Sequence, residues 1–487
     1  MRAIRPPMAK PWVFGDLPPV FTGDNLRVPF RRHTMALKRL NTGKGLCGMD
    51  IHVVRAGETL NDIAQRYGVS PERLAQDNGL ADPARLVPGQ TLVILYPRRV
   101  VTVQPGETLA GIAAREGVTL NQLLRNNYGL GGDVTVYPGQ TIVIDYEQEK
   151  QGVLSTNGYV YPFVDRAVLR QALPYMTYLT MFTYGFTPEG ELIELDDEEL
   201  IRLAREYGVS PLMHLSTLTP EGNFSSALAD ALLNNPPVQD ILIDRVLETM
   251  RAKGYDGLDV DFEFIAPENR QAYVDFIQKV ADRLNPEGYI VVTALAPKTS
   301  GDQPGLLYEG HDYAGIGAAS NAVLLMTYEW GYSAGPPMAV APIGNVRKVL
   351  DYAVTVIEPG KIYMGFPNYG YDWPLPFVRG ETRAPSIGNV EAVDIAARHG
   401  ASIQYDEVSQ APHFNYFSTT WQEHEVWFED ARSVQAKLAL IPEYGLQGVG
   451  YWNLMRPFPQ NWTVLNSLYH IREELSSGTG FFSSSAV

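Results

Sequence analysis

Between Gly254 and Phe264 the chain alternates three carboxylates, Asp259, Asp261 and Glu263, with Leu258, Val260, Phe262 and Phe264. A period of two belongs to a β-strand, and it gathers the acids on one face and the apolar side chains on the other. An acidic strand that simply faces water satisfies this spacing. Helical patterns on both sides, however, suit the apolar face to burial against helices, which turns the acids inward. An unpaired buried charge costs several kcal/mol even after relaxation, so inward acids are either bonded to one another or functional.

Same-side residues on a strand lie roughly 6.5–7 Å apart, close enough for neighbouring carboxyls to share a proton. One can then stay protonated near neutral pH beside an ionised partner, the division of labour that glycoside hydrolysis needs.

From Gly152 onward strands alternate with helices, which argues for a parallel sheet. Strands are expected at Val153 to Tyr161, Tyr178 to Phe186, Pro211 to Leu215, Gly257 to Phe262, Tyr289 to Ala294, Ala322 to Met326, Lys361 to Phe366 and Gly448 to Trp452. Eight strands close a barrel. Helical stretches at Asp196 to Tyr207, Gln239 to Lys253, Pro267 to Leu284, Pro342 to Val354 and Arg432 to Tyr444 supply its outer ring. The expected fold is therefore α/β, a (β/α)8 TIM barrel over 150–475, with an insertion near the site between strands seven and eight.

Ahead of it lies an internal repeat. Gly57-Glu58-Thr59-Leu60 recurs as Gly106-Glu107-Thr108-Leu109, and Pro88-Gly89-Gln90-Thr91 as Pro138-Gly139-Gln140-Thr141. Each unit, 49–97 and 98–147, reads as strand, helix, helix, strand. In the first, Thr59 and Ser70 are N-caps, Pro71 opens the second helix, and Gly68 stops the first.

Asp256-Gly257-Leu258-Asp259-Val260-Asp261-Phe262-Glu263 resembles the D-G-x-D-x-D-x-E signature of glycoside hydrolase family 18. The resemblance implies that Glu263 is the general acid. Asp261 would orient the substrate's 2-acetamido group, which attacks the anomeric carbon, and Asp259 would hold Asp261. Met326 to Trp330 resembles the family's M-x-Y-D segment, making Tyr328 the partner of the acetamido carbonyl, with Glu329 where Asp is usual. Gly448 to Trp452 resembles the last strand, whose Trp452 would floor the site beside Asn453 and Met455. Gly365 to Trp373 resembles the G-x-P-x-Y-G loop, so Tyr369 and Trp373 are expected to flank the sugar. Asp256, Glu425 and Trp427 complete the expected substrate contacts.

The repeats resemble tandem LysM domains, which bind N-acetylglucosamine glycans. That resemblance implies contacts from Gly57, Glu58, Thr59 and Leu60 with the segment 82–86, and from Gly106, Glu107, Thr108 and Leu109. Met213 to Leu218 lacks the S-x-G-G common in chitinases. With the LysM pair and Glu329, this resembles the spore-cortex branch of family 18, N-acetylglucosaminidases of endospore-forming bacteria that act on cortex peptidoglycan during germination. A chitinase, or a non-catalytic peptidoglycan-binding coat protein, are the rival readings. Family membership implies location in the spore coat or cortex, after synthesis in the mother cell.

Net charge is -16, which disfavours a nucleic-acid partner, and the single Cys47 allows no internal disulfide. No Cys/His cluster suggests a metal and no cofactor is expected. No apolar run is long enough to predict a membrane span. Residues 1–48 hold nine Lys and Arg against two Asp and Glu, and have no apolar core of a signal peptide. They read either as a basic disordered extension or as sequence ahead of a true start at Met49. Residues 476–487 read as a disordered tail.

Overall fold

The computed structural model describes residues 48–219 and 222–473. The expectations for the N-terminal extension and the C-terminal tail lie outside these residues.

Eight parallel strands form a closed barrel: Val153–Val160, Tyr178–Phe186, Ser210–Ser216, Gly257–Asp261, Ile290–Leu295, Ala322–Leu325, Ile362–Pro367 and Gly448–Trp452. Each pairs with the next, and the eighth returns to the first through Gly448 to Tyr451 opposite Ser155 to Gly158. Expected and observed strand ends differ by a residue or two, as termini do. Helices such as Pro236–Lys253, Arg270–Leu284 and Ile343–Val356 pack outside, burying faces that include Leu242, Val246, Phe276, Val280, Val349 and Ala353. Expected helix Arg432 to Tyr444 is two, Ala431–Leu438 and Leu440–Tyr444. Between strands seven and eight the insertion forms an antiparallel five-stranded sheet carrying helix Asn389–His399.

Each N-terminal unit is a two-stranded antiparallel ribbon with two helices: Met49–Val53, Leu60–Tyr67, Pro71–Asp77 and Thr91–Leu95, then Pro97–Thr102, Leu109–Glu116, Leu120–Asn126 and Thr141–Tyr146. The repeated Gly-Glu-Thr-Leu has the same physical basis in both. Gly57 and Gly106 turn the chain at φ +82° and +83°, where a side chain is strained. The carboxylates of Glu58 and Glu107 accept the backbone N–H of Arg55 and Gln104, each at 2.8 Å. Thr59 and Thr108 cap the helices. Leu60 and Leu109 are buried core residues, which corrects their assignment as glycan contacts: the first helix needs an anchor, and the motif supplies it. Leu109→Ala is accordingly expected to cost about 2–5 kcal/mol, read as a lower thermal midpoint.

Both modules are fixed to the barrel through its last helix, Pro459–Leu468. Thr463 donates to the Asp77 carbonyl at 2.8 Å, Thr91 to Gln460 at 2.9 Å, and Asn466 to Asn126 at 2.9 Å. Arg125 of the second module reaches the Pro174 carbonyl at 2.9 Å. The modules also meet each other, Arg73 donating to Asn127 at 3.1 Å.

Candidate active site

The fourth strand ends at Asp261, and the chain turns at Phe264, whose φ of +55° is uncommon for a bulky side chain. Asp259, Asp261 and Glu263 are all buried. In register, Asp259 lies between His214 of the third strand and Val292 of the fifth. The Tyr159 hydroxyl donates to Asp259 Oδ2 at 2.5 Å. Asp261 Oδ2 lies 3.6 Å from His214 Nε2, while His214 Nδ1 meets the Thr183 hydroxyl at 2.7 Å.

One oxygen of each acid, Asp259 Oδ1, Asp261 Oδ1 and Glu263 Oε1, has no hydrogen-bond partner, nor has His214 Nε2. A buried orphan costs about 1–3 kcal/mol, so four in one row mark an arrangement that a bound molecule completes.

Burial sets the protonation of this row. It raises Asp259 to about 7, opposed by the Tyr159 hydrogen bond. Burial and the neighbouring Asp259 charge raise Asp261 to about 8. Glu263 rises well above the ordinary carboxyl range through burial, with Asp261 and Glu329 adding to it. Burial lowers His214 to about 3, so the imidazole beside Asp261 is neutral. The rise favours the protonated form of Glu263, the form a general acid needs.

A cavity of about 860 Å³ opens onto the row, lined by Asp261, Glu263, Tyr328, Glu329 and Trp452 among others. Trp452 ends the eighth strand and is wedged against Phe182 and Tyr159, with ring centroids 4.9 and 5.7 Å away. Glu329 sits at φ +66°, a sharp turn after the sixth strand that aims its carboxyl inward. Tyr369 and Tyr371 donate to that carboxylate, Tyr371 at 3.0 Å. Burial raises Glu329 to about 7, against the pull of those two bonds.

Several expected contacts lie elsewhere. Asp256 precedes the fourth strand, at the opposite end of the barrel, and pairs with Arg205 at 2.6 Å. Trp373 is fully buried, its indole N–H donating to the Gly335 carbonyl at 2.8 Å, so it is core and offers no face to a sugar. Tyr369 meets Glu329 and is not among the cavity's lining residues. Asn453 turns its Oδ1 to the Met455 N–H at 3.2 Å, and Met455 Sδ accepts the Tyr161 N–H at 3.4 Å. Glu425 and Trp427 bond to each other at 2.7 Å in the insertion sheet.

The sequence reading passed over Tyr159 and His214, and over Tyr332, which also lines the cavity. A lone histidine inside Ser210–Ser216 and a tyrosine near the end of the first strand were the available signals. Among the described residues, no group of three or more His, Cys, Asp or Glu is placed to hold a metal ion.

Residues 163–456 match the glycosyl hydrolases family 18, and residues 52–95 and 101–145 match the LysM domain. The chain belongs to family 18. Family 18 relatives include the cortical fragment-lytic enzyme of Bacillus anthracis, 38% identical over 86% of this chain and 97% of that one. The Bacillus subtilis enzyme described in the same words is 38% identical over 87% and 99%. Among solved structures, the Bacillus megaterium spore cortex-lytic enzyme SleL superposes with a TM-score of 0.75 at 38% identity, covering 88% of this chain and all (100%) of that one. A Chromobacterium violaceum chitinase gives a TM-score of 0.61 at 25% identity over 64% of this chain and 98% of its own. The family assignment makes this chain a glycosyl hydrolase with two LysM modules.

Proposed function

We propose that the protein cleaves β-1,4 bonds after N-acetylglucosamine in spore-cortex peptidoglycan during germination, by substrate-assisted catalysis with retention. The observation that carries this reading is the row of three buried acids with unmet oxygens, two of which, Asp261 and Glu263, line a cavity with Trp452. Similarity to cortical fragment-lytic enzymes over nearly their whole length supports the substrate, and the LysM pair supports binding to N-acetylglucosamine glycans.

Glu263 gives its proton to the glycosidic oxygen as the C1–O bond breaks. The acetamido carbonyl oxygen attacks C1 and forms an oxazolinium ion, with Asp261 accepting from the acetamido N–H and Tyr328 holding the carbonyl. Water, deprotonated by the Glu263 carboxylate, then opens the ring from the same face as the departed group. Asp259, held by Tyr159, acts on Asp261 through its charge, which raises the Asp261 carboxyl. The protein acts in the spore coat or cortex, supplied by the mother cell.

In this scheme His214 stands beside Asp261, its Nε2 3.6 Å from Oδ2. His214→Phe, which removes the imidazole 3.6 Å from Asp261, is expected to lower kcat by up to about 10-fold, the worth of a modest polar contact, with KM little changed. His214→Gln, which keeps a donor near the Nε2 position, should recover much of that loss. Equal losses in both variants would assign His214 to packing alone.

Mass spectrometry of products from purified cortex and from chitin oligomers tests the function. New N-acetylglucosamine reducing ends from cortex are expected. Release from chitin alone would favour the chitinase reading, and release from neither would refute catalysis.

A further inference from the structure

A second cavity, of about 840 Å³, lies where the first LysM module meets the insertion and the last barrel helix. Its walls are held together. Ile403 N–H donates to the Pro88 carbonyl at 2.8 Å, Arg432 reaches the Gly89 carbonyl at 3.3 Å, and a Cβ at Gly89 would overlap the Ile403 backbone. The loop Gly57–Thr59 takes no part in the lining, while the segment 82–86 contributes Asp82 and Arg85, so the cleft borders one side only of the expected LysM groove.

The floor is apolar, built from Val393, Ile403, Phe428 and Phe458, and the rim is charged. Two of the lining acids are already engaged, Glu429 with Lys437 and Asp430 with Arg432, each at 2.7 Å. Asp82, Asp394 and Arg85 are exposed and form no ion pair among the described residues. Below them Asn389 is buried: its Oδ1 accepts the Glu429 N–H at 2.9 Å, while its Nδ2 has no partner.

A neutral sugar is held by an open aromatic face, and the cleft lacks one, since Phe428 and Phe458 are each only 3% exposed. The Asp394 carboxylate and the Arg85 guanidinium, with Asp82 capping its own turn through the Ala84 N–H at 3.1 Å, instead match over an apolar floor a ligand with charges of both signs and small apolar groups between them. The orphan amide of Asn389 calls for a carbonyl acceptor, which a peptide backbone supplies.

We propose that this junction cleft binds a short peptide bearing both a free carboxylate and an ammonium group, the arm attached to the glycan that the barrel cleaves. Arg85 takes the carboxylate, and Asp394 with Asp82 takes the ammonium. The inference rests on the peptidoglycan reading above.

The test is calorimetry on full-length Glu263→Gln protein, with a peptide-bearing disaccharide from peptidoglycan and the same disaccharide stripped of its peptide. The peptide-bearing form is expected to bind about 10-fold more tightly, as for a charge-assisted contact, and the advantage should shrink with added salt. Asp394→Lys or Arg85→Glu, placed in the same background, should each abolish the difference. Asp394→Lys in the otherwise native enzyme should hydrolyse peptide-free N-acetylglucosamine oligomers at the native rate. Equal affinities for the two disaccharides, or a preference that survives Asp394→Lys, would overturn the proposal. Failure of the native enzyme to release reducing ends from peptidoglycan would instead remove the glycosidase reading, whatever the peptide preference.

Discussion

Glu263→Gln is expected to lower turnover of unactivated glycans about 10²- to 10⁴-fold, the range for loss of a general acid. The amide keeps the shape of the side chain and cannot give a proton to the leaving oxygen. The size of the loss should depend on the leaving group. An aryl N-acetylglucosaminide expels a weakly basic phenolate that needs little protonation, so its glycosylation step should be far less impaired than that of an oligosaccharide. Steady-state kinetics with both substrates would show the contrast. Near-native turnover of the oligosaccharide by the variant is the result that sinks the assignment.

Asp261→Asn is expected to act on activity and stability in opposite directions. Its carboxylate would support the acetamido group as positive charge develops, so kcat should fall about 10²-fold or more, as when a preorganised group facing transition-state charge is removed. The native row has a cost: burial raises Asp259 to about 7, burial and the Asp259 charge raise Asp261 to about 8, and burial with its acidic neighbours raises Glu263 well above its ordinary value. In the unfolded chain these carboxyls ionise near 4. Between the two values the folded state binds more protons, so native stability is fullest below about pH 4 and falls as pH rises towards about 8. Asp261→Asn removes part of that fall. Its gain should be absent at pH 4 and reach about 1–3 kcal/mol near pH 8, a fraction of the full 1.36 kcal/mol per pH unit because the neighbouring acids relax. Thermal melts of both proteins across that range are the check, and a gain largest at pH 4 would reverse the sign.

Much of the architecture was legible because it rests on periodicity. Alternation within Gly257–Asp261 and eight strand-helix units dictated a closed parallel barrel, and the caps at Thr59 and Ser70 fixed helix starts to the residue. The acids were legible for a different reason, since buried carboxylates at period two have few structural uses. What escaped the sequence was orientation across elements. Trp373 and Asn453 stand in a fitting motif, yet one points to Gly335 in the segment after the sixth strand and the other back into its own loop. Tyr159 and His214 sit on other strands: barrel closure brings Tyr159 to Asp259, and strand register brings His214 beside Asp261. Leu60 and Leu109 mislead in the other sense: their motif recurs because the turn must fold, whatever it binds.

Helix Pro459–Leu468, which seals the barrel, also seats both LysM modules through Thr463, Gln460 and Asn466. Grip and blade therefore share one frame, with no slack between the point where a strand is held and the point where it is cut. Cleavage positions should then recur at a set distance from the anchored sugar. Deleting the modules would bare Thr463 and Asn466 on the seat, shortening the enzyme's lifetime in solution as well as its hold on the wall.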